Sequence, residues 1–135
     1  MADQNIILSS GKRKTAIARA TCRQGRGKII VNKILVTNIE PKLARLTIME
    51  PIQIAGDWSK KVNMNVKVHG GGVQSQAEAA RLAIARAFVD FSKDPKVKSD
   101  FLKYDRHLLV ADTRRKEMYK PGDSKARSKR QKSYR

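Results

Sequence analysis

His69-Gly70-Gly71-Gly72 is the stretch of this chain whose composition comes nearest to covalent chemistry, because histidine followed by three glycines has the makings of a backbone oxyanion hole. That chemistry also needs a serine on a Gly-x-Ser-x-Gly elbow, and the chain contains none. Two roles remain for the four residues. One is a strand-to-helix turn with unusual backbone angles; the other is an anion seat, in which the free amides of Gly70, Gly71 and Gly72 at a helix start face a phosphate. Elsewhere the enzymatic signals fail. Gly27-Lys28 is followed by Ile29 and is preceded by no glycine at P-loop spacing, and Gly25 with Gly27 lacks the third glycine of a dinucleotide fingerprint. His69 and His107 lie far apart, no carboxylates pair for acid–base work, and Cys22 is the single cysteine. The sequence therefore predicts no catalysis, no cofactor, no metal, no small-molecule substrate and no intrachain disulfide.

The chemistry that the residues do favour is neutralisation of a polyanion. Among 135 residues, 30 Lys and Arg stand against 12 Asp and Glu, for a net charge of +18. Solubility needs far less, which makes nucleic acid the default partner. The charge is concentrated in two places. Between Gly11 and Lys33 there are eight bases, among them Lys12, Arg13, Lys14, Arg19 and Arg26, and no acid. From Asp112 onward there are ten bases, Arg114, Arg115 and Lys116 opening the run, against three acids. The last twelve residues hold Lys125, Arg127, Lys129, Arg130, Lys132 and Arg135, with only Ala126 and Tyr134 apolar. Such a segment cannot offset the entropy of its own ordering and needs a polyanion to fold against. Tyr134, with nothing apolar around it, is a candidate for stacking on a base or bonding a phosphate. No apolar run approaches the ~18 residues of a membrane span, and the amino terminus has no signal-peptide pattern, so no membrane is expected and the setting reads as cytoplasmic.

The elements that would position these cations follow from periodicity. Ala16, Ala18, Ala20 and Cys22 alternate with Ile17, Arg19, Thr21 and Arg23, which predicts a strand with small groups inward and long cations outward. Gln24 to Gly27 reads as a turn and Lys28 to Asn32 as the returning strand of a hairpin, extended by Ile34 to Val36. Leu43, Leu46 and Met49 after Glu40-Pro41 predict a short amphipathic helix ending at Pro51. Val62, Met64, Val66 and Val68 alternate with polar residues as a half-buried strand. An Ala-rich helix is expected from about Val73 to Phe91, with Ala77, Ala80, Ile84, Ala87, Phe88 and Phe91 on its buried stripe. Asp94-Pro95 opens a further helix through Phe101 and Leu102, with Asp94 as its cap. Trp58 belongs to the core. The apolar signal stops after Val110, and Pro121-Gly122 breaks regularity before the basic end. One globular RNA-binding domain over residues 1–110 and an extended basic tail over 111–135 are expected.

Three segments in this order carry a resemblance. They are Gly11-Lys12-Arg13-Lys14-Thr15-Ala16-Ile17-Ala18-Arg19-Ala20, then His69-Gly70-Gly71-Gly72 leading into Gln76 to Ala87, and the closing Lys125 to Arg135. Together they resemble small-subunit ribosomal protein family nine, and the ending Gln131-Lys132-Ser133-Tyr134-Arg135 is similar to its archaeal and eukaryotic branch. The resemblance implies an α/β fold like the second domain of ribosomal protein S-five, a small sheet with helices on one face. It implies docking on ribosomal RNA in the head of the small subunit beside neighbouring ribosomal proteins. It further implies that the tail threads through RNA toward peptidyl-site transfer RNA, with Lys132, Tyr134 and Arg135 nearest to it. About 25 residues beyond Val110 span at most roughly 80 Å, which allows that reach. Two other classes remain: a processing factor that supports a catalytic RNA, and a DNA-condensing basic protein. The defined strand and helix patterns disfavour a purely unstructured condenser.

Overall fold

The alternation from Ala16 to Cys22 does build a strand. In the computed structural model, which describes residues 6–127, it belongs to a five-stranded sheet of order β1-β2-β5-β3-β4. The strands are β1 (Ile7–Arg13), β2 (Ala16–Gln24), β3 (Ile29–Val31), β4 (Ile34–Leu35) and β5 (Val62–His69). Three α-helices complete the mixed α/β architecture: α1 (Lys42–Ala55), α2 (Val73–Ser92) and α3 (Pro95–Tyr104).

β2 and the 29–31 strand do not form the expected hairpin, because β5 lies between them. Residues 25–28 cross the start of β5, where the Gly25 and Gly27 amides donate to the Lys61 and Val62 carbonyls at 2.9 Å. Asn63 Oδ1 accepts from the Arg26 and Lys28 amides at 2.9 and 3.0 Å. That crossing sets β3 down on the far side of β5 and parallel to it. Alternation tells a strand which face to bury but not which neighbour to take. The hairpin partner of β2 is β1, in register from Ile7 opposite Cys22 to Arg13 opposite Ala16.

The sheet buries one face against α2. Small residues on both surfaces, Ala16, Ala18 and Ala20 on the strand and Ala77, Ala80, Ala83 and Ala87 on the helix, let the two come close. β1 approaches so nearly that a Cβ on Gly11 would overlap the Ala79 carbonyl and the Ala83 amide. Ser9 Oγ donates to the Ala83 carbonyl at 2.7 Å, tying strand to helix. Phe88, Phe101, Met64, Ile84 and Leu108 fill the remaining volume and are almost wholly buried. Each such side chain contributes ~1.5–3 kcal/mol by leaving water. Trp58 is half-buried at the rim of this core, edge-on to Phe91 with ring centroids 6.3 Å apart.

α2 and α3 form where the periodicity puts them, and Asp94 caps α3 by accepting from the Lys96 amide at 2.9 Å. α1 differs. It continues through Pro51 to Ala55, and its buried residues are Ala44, Ile48, Pro51 and Ala55, while Leu43 and Leu46 are exposed. The Pro51 ring is itself buried, and its packing outweighs the lost backbone bond that normally ends a helix. Once the helix runs past Pro51, the stripe that includes Pro51 and Ala55 turns Leu43 and Leu46 outward. Beyond a short 3-10 turn at Arg106–Leu108, residues 111–120 have no regular structure, and a turn at Pro121-Gly122 follows.

Candidate nucleic-acid interface

The face of the sheet opposite α2 carries the cations that alternation turns outward. Cross-strand register places Ser10, Arg19 and Lys67 side by side, with Lys12, Ile17 and His69 in the next row and Leu8, Thr21 and Asn65 in the row beyond. Arg23 stands opposite Asn63 at the end of the face. Lys12, Arg19, Arg23, Lys67 and His69 are exposed, and no acid lies among these positions. Arg19 and Lys67 are directly opposed across β2 and β5. Like charges so placed destabilise a sheet by ~0.2–1 kcal/mol unless an anion lies between them. Leu8, Ser10, Arg19, Thr21, Asn65 and Lys67 line a shallow depression there.

Of the candidates from the first basic stretch, Lys12 and Arg19 lie on this face. Lys14 sits at the β1–β2 turn with φ 53° and Arg26 in the crossing loop, both exposed. Arg23 and Lys67 belong to the same surface. Arg23 was legible from the alternation that marks Arg19, whereas Lys67 joins them only through the pairing of β2 with β5.

Arg13 is placed differently. Alternation along β1 turns Ser9, Gly11 and Arg13 toward α2 and Ser10 and Lys12 away from it. Arg13 Nε lies 2.5 Å from Glu78 Oε2 on α2, and its Nη1 lies 2.6 Å from Asp112 Oδ2. Its side chain is only 17% exposed, so it serves as an internal tie. Arg114 is also engaged, with Nη2 2.7 Å from Asp112 Oδ2. Hydrogen bonds from the Arg114 guanidinium and backbone amide, followed by the charges of Arg114 and Arg13, hold the Asp112 carboxyl well below the usual carboxylate range.

Gly70 and Gly71 adopt φ 78° and 65°, and a Cβ on Gly70 would come within 2.5 Å of the Thr15 carbonyl. The turn reading of the glycines is thereby accounted for: backbone geometry requires them. Gly72 is the N-cap of α2, and its carbonyl accepts from the Gln76 amide at 2.9 Å. The helix start is exposed, and Glu78, the first acid along α2, is paired with Arg13. Arg115 and Lys116 are exposed, as are Lys125 and Arg127, the latter 2.8 Å from Glu117. Lys129, Arg130, Lys132, Tyr134 and Arg135 lie outside the described residues. Cys22 is fully buried, and burial pushes its thiol up to about 11. Among the described residues, no cluster of three or more His, Cys, Asp or Glu could hold a metal, and no helix is long and apolar enough to cross a membrane.

The family described as Ribosomal protein S9/S16 matches residues 11–135. The chain is 50% identical over 130 residues to small ribosomal subunit protein uS9 of Desulfurococcus amylolyticus, covering 96% of this chain and 93% of that protein. It is 48% identical over 130 residues to small ribosomal subunit protein uS9 of Methanothrix thermoacetophila, covering 96% and 98% respectively. The cationic sheet face, the glycine turn and the basic carboxyl-terminal stretch thus occur in a sequence that aligns with these proteins almost end to end, and the chain belongs to the ribosomal protein S9/S16 family.

Proposed function

We propose that the chain is a structural constituent of the small subunit of the cytoplasmic ribosome, without catalytic activity, and that it docks on ribosomal RNA by two surfaces. The first is the open sheet face, with Lys12, Arg19, Arg23 and Lys67, flanked by Lys14, Arg26 and the exposed turn at Gly70, Gly71 and Gly72. The second is the basic segment 111–135, through Arg115, Lys116, Lys125, Arg127, Lys129 and Arg130. The opposition of Arg19 to Lys67, on a face whose described strand positions hold no acid, carries this reading. A phosphate backbone crossing there would replace repulsion with two ion pairs and release counterions. A face built from a twisted sheet and flexible cations suits recognition of RNA shape rather than of base edges.

Residues 1–110 act as the docking body, of the S-five second-domain kind, in the subunit head among neighbouring ribosomal proteins. The tail continues through RNA toward peptidyl-site transfer RNA, where Lys132, Tyr134 and Arg135 make contact. Support comes from family membership and from the concentration of bases with few acids after Asp112. The test compares the full chain with one lacking residues 124–135. Both should sediment as one copy per small subunit, and the truncated chain should show a shallower dependence of log affinity for ribosomal RNA on log salt, with weakened peptidyl-site transfer RNA retention. Sedimentation with a separate RNA-processing particle would overturn the ribosomal assignment, and an unchanged salt slope would remove the tail from the interface.

A further inference from the structure

The chain leaving the body is fastened at three successive points by three arginines. Arg81 on α2 holds Asp105, both terminal nitrogens lying 3.0 Å from Oδ2, while its Nε lies 2.6 Å from Glu50 Oε2 as an ion pair. Arg86, also on α2, donates to the Leu109 carbonyl at 3.1 Å and to the Ser10 carbonyl at 2.8 Å. Arg13 on β1 holds Asp112 and Glu78. Leu108, fully buried, plugs the same segment into the core. Asp112 is the last of these ties, and its other oxygen accepts from the Arg114 amide at 2.9 Å. Its Oδ2 is shared by Arg13 Nη1 and Arg114 Nη2, so one carboxylate holds the body and the departing chain at once.

We infer that Asp112 is a positioning residue that aims the basic segment beyond it, by joining Arg13 of the body to Arg114 of the tail. The inference rests on the reading of that segment as RNA-binding. By charge alone Asp112 works against such binding, since it is an acid at the root of a basic tail and it occupies two arginines. Its contribution is geometric. A tail that departs in one direction meets the RNA beside the docked sheet face at a high effective concentration, whereas one free to swing samples a large volume first.

The opposing signs make the test sharp. Asp112→Asn removes a negative charge and frees two cations, so electrostatics alone predicts tighter binding to transcribed small-subunit ribosomal RNA. Positioning predicts binding at least about threefold weaker. The full-length chain is measured, with the 124–135 truncation alongside. Spin labels at Lys103→Cys and Lys116→Cys report the direction of departure. Their distance distribution should be narrow in the parent and broad in Asp112→Asn and in Arg13→Gln, with no further broadening in the double variant. Because the Asp112 side chain is only 15% exposed and pairs with Arg13, each variant is melted first, and RNA binding and label distances are measured well below its transition, where the body is folded. Equal or tighter RNA binding by Asp112→Asn, or an unaltered label distribution, overturns the inference. If the truncation itself leaves RNA affinity unchanged, the tail reading fails and the inference falls with it; if truncation weakens binding and Asp112→Asn does not, only the positioning role is wrong.

Discussion

Replacing Lys12, Arg19, Arg23 and Lys67 together by glutamine separates affinity from stability in a way that few surface substitutions do. All four side chains are exposed on the open sheet face, and among the described residues none of the strand positions on that face is acidic. Each phosphate contact contributes about 0.7–0.9 to the slope of log affinity against log salt, so losing four should flatten it by about 2.8–3.6. Between 50 and 200 mM salt that corresponds to roughly 50- to 150-fold less salt sensitivity than the parent. Stability should move the other way or not at all, since the opposed Arg19 and Lys67 charges are gone, a relief of ~0.2–1 kcal/mol. Filter binding to ribosomal RNA across a salt series gives the slope, and urea denaturation monitored by circular dichroism gives the stability. A control with the same charge change, glutamine at Lys93, Lys96, Lys98 and Lys103 around α3, should leave the slope near that of the parent. Parallel slopes for parent and sheet-face variant, or an equal flattening by the control, would refute the assignment of this face.

Gly11→Ala should destabilise the body by about 1–3 kcal/mol, because the new methyl meets helix backbone rather than a side chain able to swing aside; a denaturation midpoint equal to that of the parent would contradict the close packing of β1 on α2. Cys22 should resist iodoacetamide in the native protein and react on unfolding, as its buried thiol stays protonated up to about 11. The unfolded thiol ionises near ~8.5, so the unfolded chain loses a proton that the folded one keeps, and stability should fall as pH rises from there to about 11. Cys22→Ala should reduce that alkaline loss in pH-dependent urea titrations.

Much of the body was readable from periodicity. β5 alternates without interruption from Val62 to His69, α2 holds an alanine stripe after a glycine turn, and Asp94-Pro95 starts α3. In each case the pattern reports burial on one face of a single element. Local rules end α1 at Pro51, whereas burial of the Pro51 ring is a tertiary gain that lets it run on to Ala55. Residues 7–13, which form β1, carry no clear alternation of apolar and polar types. Gly11 is its one buried residue, and the reason for that glycine is the α2 backbone, more than sixty residues away in sequence.

Composition alone determined that this chain seeks a polyanion, since a net charge of +18 in two dense stretches cannot be satisfied within a molecule holding twelve acids. Which cations are free to meet that partner was decided by tertiary structure. Lys12 and Arg13 are adjacent and chemically alike, yet the pleat of β1 turns one to the open face and the other against Glu78 and Asp112. The physical reason is that a side chain's direction depends on strand parity, and parity acquires meaning only when pairing and helix packing give the sheet an inside.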